Sequence, residues 1–189
     1  GKRNATTISL SPLTSEDTAR LLATLLERTV LPAETQQELL ERAGGNPLYA
    51  EQFVRMLRER PAGAEAAVPE TVHALIAARL DTLGPERKAL LQDAAVIGKV
   101  FWSGAVGAVG GVDERTVREG LHELVRRELL RPSRLSSVEG QAELAFGHGL
   151  VRDVAYAQIP RAARASKHEA AARWMEGIAG ERVGDYAEL

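Results

Sequence analysis

Two short breaks in this sequence carry residues able to contact a nucleotide. The first is Gly44-Gly45-Asn46-Pro47, which opens the apolar run beginning at Leu48. The second is Gly147-His148-Gly149, set between Phe146 and Leu150-Val-Arg-Asp-Val-Ala-Tyr156. Glycines at 44 and 45 permit close backbone approaches that a side chain blocks, and Pro47 fixes its own φ and lacks an N–H. Such a turn can come close to a flat base or a ribose. A histidine between a strand and a helix can donate to a phosphate oxygen, aided by the positive end of that helix. Each break also has a plainer reading. Gly44 to Pro47 fits a helix C-cap followed by a proline helix start, and His148 fits a histidine satisfied at a domain seam.

Other chemistries find little support. The chain has no cysteine, so disulfides and thiolate chemistry are excluded. His73, His122 and His168 show no metal-ligand spacing and read as surface or seam residues. No Ser/His/Asp constellation or carboxylate pair stands out. The glycines from Gly104 to Gly111 read as lacking a preceding strand, which argues against a dinucleotide fingerprint. Arg152 and Asp153 read as a structural salt link or capping pair beside His148, and Trp102 and Trp174 as core anchors. No Gly-x-x-x-x-Gly-Lys-Ser/Thr loop occurs, so the chain is not expected to hydrolyse ATP by itself.

The elements that must position these residues are mostly helices. Ala, Leu, Arg and Glu are abundant and aromatics make up only 4%. Thr6 to Leu10 is a short β-like run. Thr14 or Ser15 can cap a helix with Leu21, Leu22, Leu25 and Leu26 on one face. A second helix starts near Pro32 and ends at Gly44-Gly45, and a third opens at Pro47 with Leu48, Phe53, Met56 and Leu57 inward. Residues 61–68 are rich in breakers and mark the expected linker. Helices are then expected from Pro69 and from Pro85 to Gly98, from Trp102 to Val109, and from an Asp113 cap onward. Leu129 to Leu135 and Ala142 to Phe146 read as two strands. Three helices and a hairpin are the order of a winged helix. Leu150 to Ile159 and Arg161 to Ile178 close the series, the last with Ala163, Ala171, Trp174, Met175 and Ile178 inward.

With 189 residues, 44% hydrophobic and 26% charged, the chain fits a soluble protein of one or two small domains. The formal net charge of −2 provides no global field toward nucleic acid or membrane. No apolar run approaches the ~20 residues of a membrane span, and a cytoplasmic location is the default expectation. Gly1 in place of Met, and an end at Leu189 in mid-pattern, lead us to expect a piece of a larger protein.

Taken together, Ile8-Ser-Leu-Ser-Pro-Leu13, Glu41-Arg-Ala-Gly-Gly-Asn-Pro-Leu-Tyr49, Val68-Pro-Glu-Thr-Val72, Ile76-Ala-Ala-Arg-Leu-Asp81 and the His148 segment resemble the C-terminal part of the nucleotide-switch ATPases called STAND proteins. The nearest group is the bacterial kind associated with class III adenylate/guanylate cyclases and with large transcription regulators. The resemblance implies a mainly α fold divided in a set way. Residues 1–13 would end an upstream nucleotide-binding domain, 14–60 would form a helical lid and 61–68 a linker. Residues 69–159 would form the winged-helix domain and 160–189 would begin a TPR-like helical region.

It also implies roles for single residues. Gly45 and Pro47 would sit on the adenine side of a nucleotide, and His148 would hold a phosphate in the ADP-bound, closed state. ATP or ADP with Mg would be the cofactor of the longer parent, and this stretch alone would hold none. Its partners would be the flanking domains of the same protein, and beyond them other protein partners or further copies of itself. The function implied is regulatory, in signal transduction or transcription, and not catalytic. Plant and animal relatives carry Met-His-Asp where this chain has Gly147-His148-Gly149, so the acidic third position, a helix cap in those relatives, is missing here.

Two other readings stay open: a DNA-binding winged-helix regulator and a protein-interaction scaffold. The candidate recognition stretch from Asp113 to Arg131 mixes Arg115, Arg118, Arg126, Arg127 and Arg131 with Asp113, Glu114, Glu119, Glu123 and Glu128. No basic face results, and DNA contact through this segment is not expected. Arg161, Arg164, Lys167 and Arg173 read as a solvated helix side.

Overall fold

The structure, a computed structural model, describes residues 9–27, 31–59 and 68–179. The β-like run at Thr6 lies largely outside the described residues, as do 61–67 of the expected linker. Among the described residues there are nine helices and three strands, a mainly α fold with one small sheet. They form two compact units divided between Ile76 and Ala77.

In the first unit, α1 (Ser15–Leu26), α2 (Ala33–Ala43) and α3 (Pro47–Glu59) pack on one another. Thr14 caps α1, its Oγ1 accepting the Asp17 N–H at 3.1 Å. Leu22, Leu39, Tyr49, Phe53 and Met56 fill the core, the 3.6-residue spacing that an amphipathic helix needs. The buried Tyr49 hydroxyl donates to the Pro69 carbonyl. Arg58 donates to the Leu25 carbonyl at 2.6 Å and so ties α3 to the end of α1.

Helix α4 (Val72–Asp81) crosses the division. It starts three residues later than Pro69 would place it, because the Thr71 hydroxyl accepts the Ala74 N–H at 3.1 Å and acts as the cap.

The second unit continues with α5 (Pro85–Ile97), β1 (Val100–Trp102), α6 (Ser103–Gly110), α7 (Glu114–Arg126), β2 (Leu130–Pro132), β3 (Glu143–Phe146), α8 (Gly149–Ala157) and α9 (Arg161–Ala179). Pro85 sits in the first turn of α5 and Asp113 caps α7, accepting the Thr116 N–H at 3.0 Å. Strand β3 lies between β1 and β2, antiparallel to both, with Phe101 opposite Leu144 and Leu130 opposite Phe146. Helix, strand, two helices and a hairpin give the winged-helix order, with Phe101 and Phe146 stacked at a tilt in the core, ring centroids 5.6 Å apart.

Three expectations are corrected here. Trp102 ends a strand and does not begin α6; Val100-Phe-Trp102 is too short a run for periodicity to betray it, and its pairing partner lies some forty residues on. Helix α9 buries Ala171 on Val96, Val109 and Ile159, but Met175 and Ile178 are 41% and 39% exposed. The apolar stripe of α9 therefore outruns the surface it packs on. Trp102 and Trp174 are half-buried and stack on each other at 5.9 Å, so they are a surface-edge pair more than core anchors.

Candidate functional site

The His148 turn is built by β3 and α8. Phe146 donates its N–H to the Lys99 carbonyl at 3.0 Å, and Gly147 donates to the Leu129 carbonyl at 2.9 Å. Gly147 needs no side chain: a Cβ there would lie 2.8 Å from the Glu128 carbonyl oxygen. His148 then takes an extended backbone and caps α8, its Nδ1 accepting the Leu150 N–H at 3.1 Å. A neutral ring whose Nδ1 accepts carries its proton on Nε2. That Nε2–H remains for a partner outside the helix, and the residue is exposed. Gly149 offers no side-chain acceptor to this helix start. The histidine itself supplies the acceptor.

A side chain that sequence reasoning missed stands close by. Lys99 is exposed, and its Cε lies 3.8 Å from where a Cβ on Gly149 would be. Its proximity follows from the pairing of β1 with β3, which nothing local in the sequence announces. Arg152 donates to the Ala95 carbonyl at 2.9 Å and pairs with Asp153 at 3.1 Å, a structural link between α8 and the end of α5. At the other end of α8, the guanidinium groups of Arg152 and Arg164 each lie over the Tyr156 ring, 4.9 and 4.8 Å from its centroid, and the Tyr156 hydroxyl is hydrogen-bonded to His168 at 2.9 Å.

The Gly44–Pro47 turn belongs to the first unit. Gly44 ends α2 in the left-handed region, φ +52°, and Gly45 follows at φ +76°. Gly45 accepts the Leu13 N–H at 2.9 Å, and a Cβ on it would meet the Leu13 carbonyl oxygen and the Pro12 ring. The side of Gly45 left open by the missing side chain is therefore occupied by the chain's own segment leading into α1. Asn46 caps α3, its Oδ1 accepting the Leu48 N–H at 3.0 Å, and Pro47 opens the helix with its ring exposed. Of this turn, Gly44, Asn46 and Pro47 are exposed and Gly45 is buried.

The face of α7 does not gather positive charge. Arg115 pairs with Glu119 at 2.9 Å, Arg118 with Glu114 at 3.1 Å, and Arg127 with Glu123 at 3.3 Å. Arg87 adds a second pair to Glu123 at 2.8 Å and holds its carboxyl below the usual range. A cleft of about 600 Å³ between α7 and the hairpin is lined by Arg118, His122 and Arg134 but also by Glu114 and Glu143. Glu143 is itself engaged, accepting from Ser137 and Ser133, and these bonds lower its pKa.

The glycines around α6 do have a strand before them, contrary to the sequence reading. That strand is antiparallel to its neighbour, and the glycines lie inside α6 instead of in the turn before it. The Gly104 N–H is taken by Gln141 Oε1 at 2.9 Å. A dinucleotide cradle needs a parallel βαβ unit with open N–H groups, so the geometry does not provide one.

Among the described residues no group of three or more His, Asp or Glu could hold a metal ion, and no helix is long and apolar enough to cross a membrane. No protein-family model matches this chain, and no curated protein matches it in sequence.

Proposed function

We propose that this chain is the lid and winged-helix part of a STAND-type nucleotide switch, in which it couples the nucleotide state of an upstream domain to an output. One observation carries the reading: His148 spends Nδ1 on capping α8 and keeps Nε2–H as an outward donor at the positive end of that helix. Lys99 beside it supplies a second positive group for a phosphate. The exposed Pro47 ring in the first unit is suited to an apolar contact with a base.

In this reading ADP holds lid and winged helix closed through Pro47 and His148. A γ-phosphate favours the open arrangement of the same two-state element. ATP or ADP with Mg belongs to the longer parent, whose phosphate loop lies outside this sequence, and the chain alone is not an enzyme. The partners are the flanking domains of the parent, and a cytoplasmic signalling or transcription-regulating role fits.

The alternating ion pairs along α7 favour this reading over a DNA-binding one, because each leaves an arginine already neutralised one turn away. The test is the affinity for ADP of a version extended upstream by one domain. His148→Ala weakens binding about tenfold or more, as expected for one lost charge-assisted phosphate contact, while His122→Ala leaves it unchanged. Equal affinity in both variants overturns the assignment.

A further inference from the structure

We infer that Arg79, on α4, is a positioning residue for His148. Arg79 is only 1% exposed, the largest fully buried side chain among the described residues. A guanidinium removed from water must be matched by well-placed acceptors. Its Nη2 donates to the carbonyl of Arg127, 3.1 Å away and 48 residues on in the sequence.

Arg127 is the C-cap of α7, and the two residues that follow form the floor beneath the His148 turn. Glu128 stands at φ +57°, a conformation that residues other than glycine rarely adopt. Its carbonyl oxygen faces Gly147 at the distance that excludes a Cβ there. The Leu129 carbonyl accepts the Gly147 N–H at 2.9 Å. Arg79 therefore fixes one peptide plane, the next two hold Gly147, and Gly147 sets the backbone from which His148 caps α8. The sequence offers no hint of this, since Arg79 lies in a helical run where arginine normally faces water.

The functional meaning of this contact rests on the proposed role of His148, but its existence does not. The test therefore uses no nucleotide. In this chain the ring nitrogens of the four histidines are followed by NMR, together with exchange of the Leu150 amide. Wild-type His148 shows the Nε2–H tautomer. Arg79→Met moves His148 toward a tautomer mixture and speeds Leu150 exchange about tenfold, the scale of a lost cap. His73, His122 and His168 stay where they are. Arg79→Lys restores part of the wild-type signature, and Gly147→Ala, acting on the same contact from the other side, reproduces the change.

A folded Arg79→Met protein with His148 and Leu150 unaltered overturns the inference. So does loss of the whole fold in both Arg79 variants, with the four histidines converging, because Arg79 then serves the core at large. ADP retention in the longer protein is read separately. If it fails while the NMR result holds, the nucleotide reading falls and the positioning role stands.

Discussion

The imidazole of His148 accepts the N–H of Leu150 at 3.1 Å, so one residue is both the cap of α8 and the outward donor at its start. The two tasks use different ring nitrogens and can be separated by substitution. In this chain His148→Ala lowers stability by about 1 kcal/mol, the worth of an N-cap. His148→Ser keeps an acceptor for the first turn and recovers most of that loss. Urea unfolding followed by tryptophan fluorescence reads the second unit alone, since Trp102 and Trp174 both lie in it. Equal losses for Ala and Ser would contradict the capping geometry.

Gly45 and Gly44 both have positive φ but should differ in their tolerance of a side chain. At Gly45 an added Cβ meets backbone at 2.4 Å, whereas at Gly44 it meets nothing within 4 Å. Gly44→Ala therefore costs only the backbone penalty, about 1 kcal/mol. Gly45→Ala adds a collision that must push the segment at Leu13 away, and costs about 3 kcal/mol. Exchange of the Leu13 amide, bonded to the Gly45 carbonyl, rises in the second variant and stays near wild type in the first.

Lys167 reaches the buried carboxylate of Asp93 and joins α9 to α5. Burial pushes the Asp93 carboxyl up, and Lys167 only partly offsets this. Lys167→Met leaves that carboxylate without its partner and costs about 3 kcal/mol at neutral pH. A group whose folded pKa is raised loses stability as pH rises through that value. The deficit of the variant therefore shrinks as pH falls through the raised carboxyl pKa, because Asp93 becomes neutral. Thermal unfolding of both proteins across that window checks the sign; a deficit that grows toward acid would contradict it.

Glu123 behaves in the opposite sense. Its pKa is lowered first by the hydrogen bond from Arg87, and its contribution is present above the unfolded value and lost as pH falls through the folded one. Glu123→Gln removes about 0.5–1 kcal/mol at neutral pH, the range of a partly exposed pair. The wild-type and variant stability curves then converge below the ordinary carboxylate range. Parallel curves down to low pH would contradict the assignment.

The helices were legible because their starts and stops are chemical. Thr14, Pro85 and Asp113 open helices and Gly44 and Gly98 close them as their types require. The hairpin was legible from its two apolar runs. Strand β1 was not, since three residues cannot show a period, and its identity depends on β3. The outward face of Met175 and Ile178 was misread because periodicity tells which residues share a face and not whether that face is covered. The sequence singled out His148 but not its role as the cap of α8. Lys99 comes to the turn through the pairing of β1 with β3, and Arg79 acts on it through the Arg127 carbonyl; no spacing reveals either.

The most direct test of the nucleotide-switch account is the nucleotide that a longer protein carries. A version extended upstream by one domain, about 150–200 residues, is purified and denatured, and the released adenine nucleotide is quantified beside His148→Ala and His148→Ser. The account predicts stoichiometric ADP in the parent and clear loss in both variants, the serine protein losing it although its helix cap survives. No nucleotide in any of the three, or undiminished ADP in both variants, would contradict it.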